Sequence, residues 1–401
     1  MSATLQIPGG MQDTLPGECH ARRALERKFR ERFRRSGYRE IETPILEYYD
    51  ALSDATYGYR PEHVWKTFDR FGRVLALRPD STIPAARLAA GSLKEEPLPL
   101  RLCYLQSASN YHSDTLSLLC EQPQAGVELM GDSSALSDGE VIALAVSCLE
   151  DAALADFQIE LGHAAFFTGF MEEAGLTPEQ TREVRGLVER KDALGLQLFL
   201  RSCAVSESAA ARLMKLPRLY GGEEILAEAE GLARNPLCLE AVARLREVIR
   251  LLRAVGCGAD VTIDLGMAQE ANYYSGVIFR GHARGAGQPI LSGGRYDGLT
   301  ARYGRPLPAV GFALSTKLLM IALERQGASF SLPRLDWLIA CGEETVEAAA
   351  EKARALRSAG QSAAFLYGED EESLRRRLAR GEVERALLYT PDGVREVKGE
   401  A

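Results

Sequence analysis

The acidic and amide side chains able to form a small polar pocket in this 401-residue chain come from two short strings. The run QAGVELMG carries Gln124, Gly126 and Glu128 at alternate positions. On a strand, alternate side chains share one face, so two polar heads would flank a glycine and leave room for a small polar ligand. A solvated sheet face bearing surface Gln and Glu is the other reading of the same pattern. LRPDST adds Asp80 and Thr82, a second carboxylate and a hydroxyl. Carboxylates, amide oxygens and hydroxyls are the acceptors that a ligand ammonium group requires. Tyr273, Tyr274 and Tyr296 each combine an apolar ring with a polar tip, which suits a flat polar group. Neighbouring residues on a strand point to opposite faces, so one of Tyr273 and Tyr274 is expected to pack away from such a pocket.

Other chemistries find less support. The eight cysteines are scattered without a C-x-x-C pair and the five histidines stand far apart, so metal-ligand spacing is absent and reduced, mostly packed thiols are expected. No metal and no cofactor is expected. The net charge of −8 gives no overall attraction for phosphate backbones, which makes nucleic acid an improbable partner. The arginine-rich stretch ARRALERKFRERFRRSG sets Ala21, Leu25, Phe29 and Phe33 four residues apart, the mark of a docked amphipathic helix with a solvated basic face. No apolar run reaches the roughly 18 residues of a membrane span and the N-terminus lacks a secretion-signal layout, so a cytoplasmic protein is expected.

The elements that would position these residues follow from local pattern. GYREIETPILEYYD reads as a strand broken by Pro44, and KTFDRFGRVLALRPDST as two extended runs hinged at Gly72. RLCYLQ and QAGVELMG supply further strands, and Ser137 with Glu140 forms a capping-box pattern for a helix running to about Leu149. Leucine, alanine, arginine and glutamate dominate 163–255, which reads as a helical insertion with a helix start at Thr177-Pro178-Glu179-Gln180. Strand signals return in ADVTIDLG, YYSGVIFRG and QPILSGGRYDGL, so 1–162 and 256–330 form one interrupted core. Grouped strands followed by helices argue for an α+β fold with an antiparallel sheet. Ser331-Leu332-Pro333 reads as a linker, and the β-α-β-α-β alternation beyond it predicts a small α/β domain over 334–401.

In their order these strings resemble the class II aminoacyl-tRNA synthetases, and in their letters histidyl-tRNA synthetase. GYREIETPILE is similar to the dimer-forming first motif, LRPDST to the LRPEGT that opens the amino-acid pocket, and QAGVELMG to the Q-x-G-x-E strand. ANYYSGVIF resembles the histidine-specific G-L-D-Y-Y stretch, and GGRYDGL is kept letter for letter. The resemblance spans roughly 5–325, and the C-terminal domain is similar to a shortened anticodon-binding domain. It implies that Asp80, Thr82, Gln124 and Glu128 are amino-acid contacts, and that Tyr273, Tyr274 and Tyr296 frame an imidazole, with Tyr274 the better pocket candidate of the adjacent pair.

Adenylate formation needs fixed cations around the phosphates, and the resemblance shows them lost. Asn110 and Leu118 stand where the second motif carries arginines, Leu318 where the third motif does, with Lys317 beside it, and Gln269 where the histidyl-specific arginine would be. Loss of each such stabiliser costs on the order of 10²–10³ in rate, so adenylation is expected to be undetectable. A kept amino-acid pocket without ATP chemistry resembles the regulatory subunits of ATP phosphoribosyltransferase. That resemblance implies a non-catalytic chain and histidine as effector for feedback control. It also implies a short-form catalytic subunit that the chain activates, and a homodimeric core inside a larger hetero-oligomer. A tRNA- or protein-binding paralogue of histidyl-tRNA synthetase, or an active synthetase with drifted motifs, are the alternatives.

Overall fold

The computed structural model describes residues 6–52, 61–109, 120–257, 261–267 and 273–398. They fall into two compact units, Met1–Phe330 and Ser331–Ala401, the division coming at the sequence-predicted linker.

The strands of the first unit are β1 (Arg39–Glu40), β2 (Leu46–Tyr48), β3 (Lys66–Phe68), β4 (Val74–Leu77), β5 (Leu100–Ser109), β6 (Glu121–Met130), β7 (Phe157–His163), β8 (Tyr220–Gly221), β9 (Val261–Asp264), β10 (Val277–Ala283), β11 (Leu291–Arg295) and β12 (Ala309–Ser315). Nine of them make one sheet in the order β1-β5-β6-β12-β11-β10-β7-β9-β8. Only β1–β5 and β7–β9 are parallel there, and the central pairs are antiparallel, as grouped strands lead one to expect. β2, β4 and β3 form a separate small sheet. Pro44 thus parts two short strands that belong to different sheets. The hairpin around Gly72 forms with that glycine at φ +79°, a left-handed conformation that costs glycine no Cβ clash.

β5 and β6 pair over ten positions without a bulge, from Leu100↔Met130 to Ser109↔Glu121. The side-chain period of two therefore holds along β6. Ala125, Val127 and Leu129 face the main hydrophobic core with Leu25, Phe29 and Phe33 of the helix Pro16–Arg35. Gln124, Gly126 and Glu128 face the other side, where Leu102, Ile83, Tyr273 and Tyr296 form a second cluster. Burying the two faces of one sheet in different clusters locks its register, because a slip of one residue would exchange them.

The basic stretch is a helix whose cations are largely engaged: Arg32 binds Asp151, Arg30 binds Glu40, and Arg34 and Arg35 share Glu31. The helices between Ala164 and Ala254 do not form a body of their own. They lie within the first unit and share its core, and β8 extends the main sheet. The expected helix start at Thr177 forms, with Thr177 and Gln180 closing a capping box. The Ser137–Glu140 box is not formed. The helix Ala135–Asp151 starts earlier, capped by Ser134, whose side chain accepts the Ser137 amide, and Glu140 is drawn instead into an ion pair with Arg101.

In the second unit β13 (Leu335–Cys341), β14 (Ala363–Tyr367), β15 (Val383–Thr390) and β16 (Gly393–Val397) follow the order β14-β13-β15-β16, with helices Val346–Ser358 and Glu371–Ala379. β13 is parallel to both neighbours. The antiparallel β16 goes beyond the expected β-α-β-α-β; its residues are mostly exposed, so little apolar alternation marks it in sequence.

Candidate functional site

Glu128 sits at the centre of the site, with no solvent exposure at all. Its Oε1 accepts hydrogen bonds from Thr82 Oγ1 at 2.8 Å and Tyr104 Oη at 3.2 Å, and its Oε2 accepts from Tyr296 Oη. Two strands, a helix and the residue after β11 supply these groups. Tyr104 lies on β5 opposite Gly126, Thr82 opens the helix Thr82–Ala90, and Tyr296 follows β11. Burial drives the Glu128 carboxyl up to about 8, against the pull of Tyr296, Thr82 and Tyr104, and the nearby charge of Asp80 adds to the rise.

Glycines make room for that carboxylate. Gly311 on β12 pairs with Glu128, and a Cβ there would collide with the carboxylate itself. A Cβ on Gly126 would meet the Tyr104 hydroxyl at 2.6 Å. These positions accept no side chain while the hydroxyls remain on Glu128.

Asp80 is close by and nearly buried. Its Oδ1 accepts the Ile83 amide at 3.0 Å, so the carboxylate caps the first turn of the helix Thr82–Ala90, where the helix dipole favours an anion. Tyr273 and Tyr274 correct the sequence reading. They precede β10 and do not lie on it, so strand alternation does not apply. Their rings lie together, with centroids 4.7 Å apart, and Tyr273 meets Tyr296 edge-on at 5.8 Å. All three tyrosines thus form one aromatic wall beside Glu128. Tyr274 packs over Gly294, where a Cβ would come within 2.8 Å of its ring.

Gln124 is four residues from Glu128 on the same face of β6, paired with Gln106 and Ser315. Its Oε1 is buried and, among the described residues, accepts no hydrogen bond. Such a stranded acceptor is costly unless a ligand or water donates to it. The structure thus brings Asp80, Thr82, Glu128, Tyr273, Tyr274 and Tyr296 together and leaves Gln124 on the same face with its acceptor free. Sequence reasoning missed Tyr104, which becomes visible only once β5 and β6 are registered.

A second buried group lies beneath. Arg295, the residue before Tyr296, pairs with Asp138 at 2.6 Å, donates to Ser137 Oγ and reaches the Asp132 and Ser134 carbonyls. Arg244, from the helix Pro236–Ala254, takes the other Asp138 oxygen at 2.7 Å. Of the positions read as lost arginines, Leu318 is buried in the main core, whereas Asn110, Leu118 and Gln269 lie outside the described residues. Lys317 lines a cavity with Pro123 and Glu121, which alternate with Gln124 and Glu128 on β6 and so take the opposite face of the sheet.

A largely antiparallel sheet of this order, packed on helices, is the class II aminoacyl-tRNA synthetase fold of the histidyl type. The fold matches a crystal structure of a Nostoc histidyl-tRNA synthetase, with a TM-score of 0.80 at 19% identity over 97% of this chain and 92% of that one. A Bacillus halodurans structure described as an ATP phosphoribosyltransferase regulatory subunit/histidyl-tRNA synthetase superposes with a TM-score of 0.85 at 30% identity, covering 97% of this chain and 99% of that one. The family model for histidyl-tRNA synthetase matches residues 10–319. In sequence, the chain is 40% identical over 356 residues to the ATP phosphoribosyltransferase regulatory subunit of Acetivibrio thermocellus, covering 89% of this chain and 85% of the relative. That of Symbiobacterium thermophilum is 39% identical over 357 residues, covering 88% and 89%. The chain belongs to the family of ATP phosphoribosyltransferase regulatory subunits, built on the histidyl-tRNA synthetase fold.

Proposed function

We propose that the chain is the non-catalytic regulatory subunit of an ATP phosphoribosyltransferase in histidine biosynthesis. It binds histidine in the Glu128 pocket and activates a short catalytic subunit. The near full-length match to regulatory subunits, at 40% identity over 89% of the chain, is the observation that carries the reading. The pocket supports the choice of effector. Asp80 and the stranded Gln124 oxygen are acceptors for an α-ammonium group, and Thr82 adds a hydroxyl. Deeper in, the Glu128 carboxyl and the tyrosine wall suit an imidazole, whose N–H groups need an acceptor and whose ring needs an apolar surface. The loss of the third-motif cation at Leu318 supports a chain that forms no adenylate.

Coupling to the partner requires only that the liganded pocket alter the contact between subunits, and coupling of about 1–3 kcal/mol changes activity or affinity roughly 5- to 150-fold. Co-expression with a short-form phosphoribosyltransferase tests the whole reading. The two chains should co-purify, activity should need both, and histidine should inhibit the pair. Glu128→Ala should assemble normally, bind histidine more weakly by calorimetry and leave the complex desensitised. A mutant complex as sensitive as wild type would place the sensing site on the partner.

A further inference from the structure

A cavity of about 380 Å³ opens on the helix side of the main sheet, across the sheet from Glu128. Its walls carry Glu18 and Arg22 from the helix Pro16–Arg35, Glu121 from β6, Lys317 and Glu324 from the helix Thr316–Arg325, and Phe330. Met320, Ile321 and Pro123 supply apolar surface. That volume is at the small end for a ligand site and fits one small molecule.

Most of its charges are not matched within the protein; among the described residues Arg22 alone of them has an ion pair, with Glu26. Among the described residues Lys317 is half-buried and makes no ion pair, and burial lowers its pKa although Glu121 and Glu18 oppose that. The Arg22 Nε is buried without a hydrogen-bond partner, the Glu26 oxygen lying at 3.7 Å. Neither Glu18, Glu121 nor Glu324 takes part in an ion pair among the described residues. Lys317 and the three glutamates therefore share one cavity without pairing, while Arg22 beside them is held only loosely by Glu26. A simple anion would meet three carboxylates, and a simple cation two basic groups. A dipolar molecule satisfies both, its carboxylate on Lys317 and Arg22 and its ammonium on the glutamates, with its side chain against Met320, Ile321 and Phe330.

We propose that this cavity is a second binding site, for a small zwitterion of the α-amino-acid class with an apolar or aromatic side chain. The site is independent of the Glu128 pocket, from which the sheet separates it.

The test is calorimetric titration of the full chain, wild type and Glu128→Ala, with L-phenylalanine, L-leucine and L-histidine separately at millimolar concentration. At least one should bind, and that binding should survive Glu128→Ala. Adding Lys317→Ala or Lys317→Gln should weaken it roughly tenfold or more, the scale of one lost charge-assisted hydrogen bond. The deaminated and decarboxylated counterparts of the bound amino acid should each bind at least about tenfold less well. Two Lys317 variants, each checked by thermal melting, guard against a folding defect in one. The proposal is overturned if none of the three amino acids binds, if binding is lost with Glu128→Ala alone, or if both folded Lys317 variants bind within tenfold of their parent. It is overturned equally if the deaminated acid binds as well as the amino acid, which would mark a plain anion site.

Discussion

Glu128 illustrates how much one buried carboxyl can govern. Folding raises its pKa from the ordinary value near 4.3 to about 8, because no water reaches it. The folded protein therefore holds a proton, between those values, that the unfolded chain has released. Stability from this group is fully present below about pH 4 and is lost as pH rises to about 8. Glu128→Gln removes that titration, so the difference in stability between mutant and wild type should grow in the mutant's favour by a few kcal/mol, to order of magnitude, between about pH 4 and 8. Urea unfolding across the range measures it, and parallel pH profiles would remove the group from the account. Gly311 is bound to the same carboxylate by geometry alone. Gly311→Ala must displace the Glu128 side chain or part β6 from β12, so it should lose histidine binding and lower the melting temperature even though alanine is small.

Among elements, the Asp138 cluster joins parts of the chain that are far apart in sequence. Asp138 belongs to the helix Ala135–Asp151, Arg295 ends β11 and Arg244 sits on the helix Pro236–Ala254. Asp138 is fully buried and the Arg295 side chain is 5% exposed, whereas Arg244 is 23% exposed. Removing Arg295 leaves a buried charge with one partner at its rim, so Arg295→Ala should cost about 3–5 kcal/mol, the scale for breaking a buried pair. Arg244→Ala should cost clearly less, because Arg295 still neutralises Asp138. Denaturant unfolding of the two mutants and their double measures both losses and their coupling. Equal losses would mean that the two arginines share Asp138 evenly despite their difference in burial. The adjacency of Arg295 to Tyr296 gives this structural joint a direct connection to the pocket.

At the scale of the whole molecule, the small sheet carries the two most exposed phenylalanines among the described residues. Phe68 and Phe71 are 70% and 68% exposed, and Tyr48, Ile45 and Leu46 accompany them on or beside β2, β3 and β4. The register places Tyr48 and Leu46 on one face of this sheet and Phe68 on the other, and apolar exposure of this kind marks an interface more often than a free surface. It supports the proposed homodimer through the GYREIETPILE segment, so light scattering at micromolar concentration should give twice the 43.8 kDa chain mass, and Phe68→Ser with Phe71→Ser should shift it toward monomer. A wild-type monomer would count against the pairing. ATP with histidine should give no pyrophosphate exchange, and measurable exchange would refute the non-catalytic reading.

The sequence by itself determined the strands of the core, the linker before the small α/β domain and most of the side chains that gather around Glu128. Each of these rests on short-range pattern: alternation along β6, periodicity along the helix Pro16–Arg35, and strings such as LRPDST, close to its family form, and GGRYDGL, which keeps its letters. The structure alone decided what depends on register between distant strands. Tyr104 joins Glu128 because β5 and β6 align it opposite Gly126, and Gly311 matters because β12 sets it beside the carboxylate. Tyr273 and Tyr274 share a wall because the chain turns there before β10 begins, which local alternation had no means to reveal. Ser134 prevails over Ser137 as helix cap because Glu140, which a Ser137 box would need, is taken by Arg101 of β5. The burial that lifts the Glu128 pKa is likewise a tertiary property, since the same Q-x-G-x-E string on a solvated sheet face would titrate as an ordinary carboxylate.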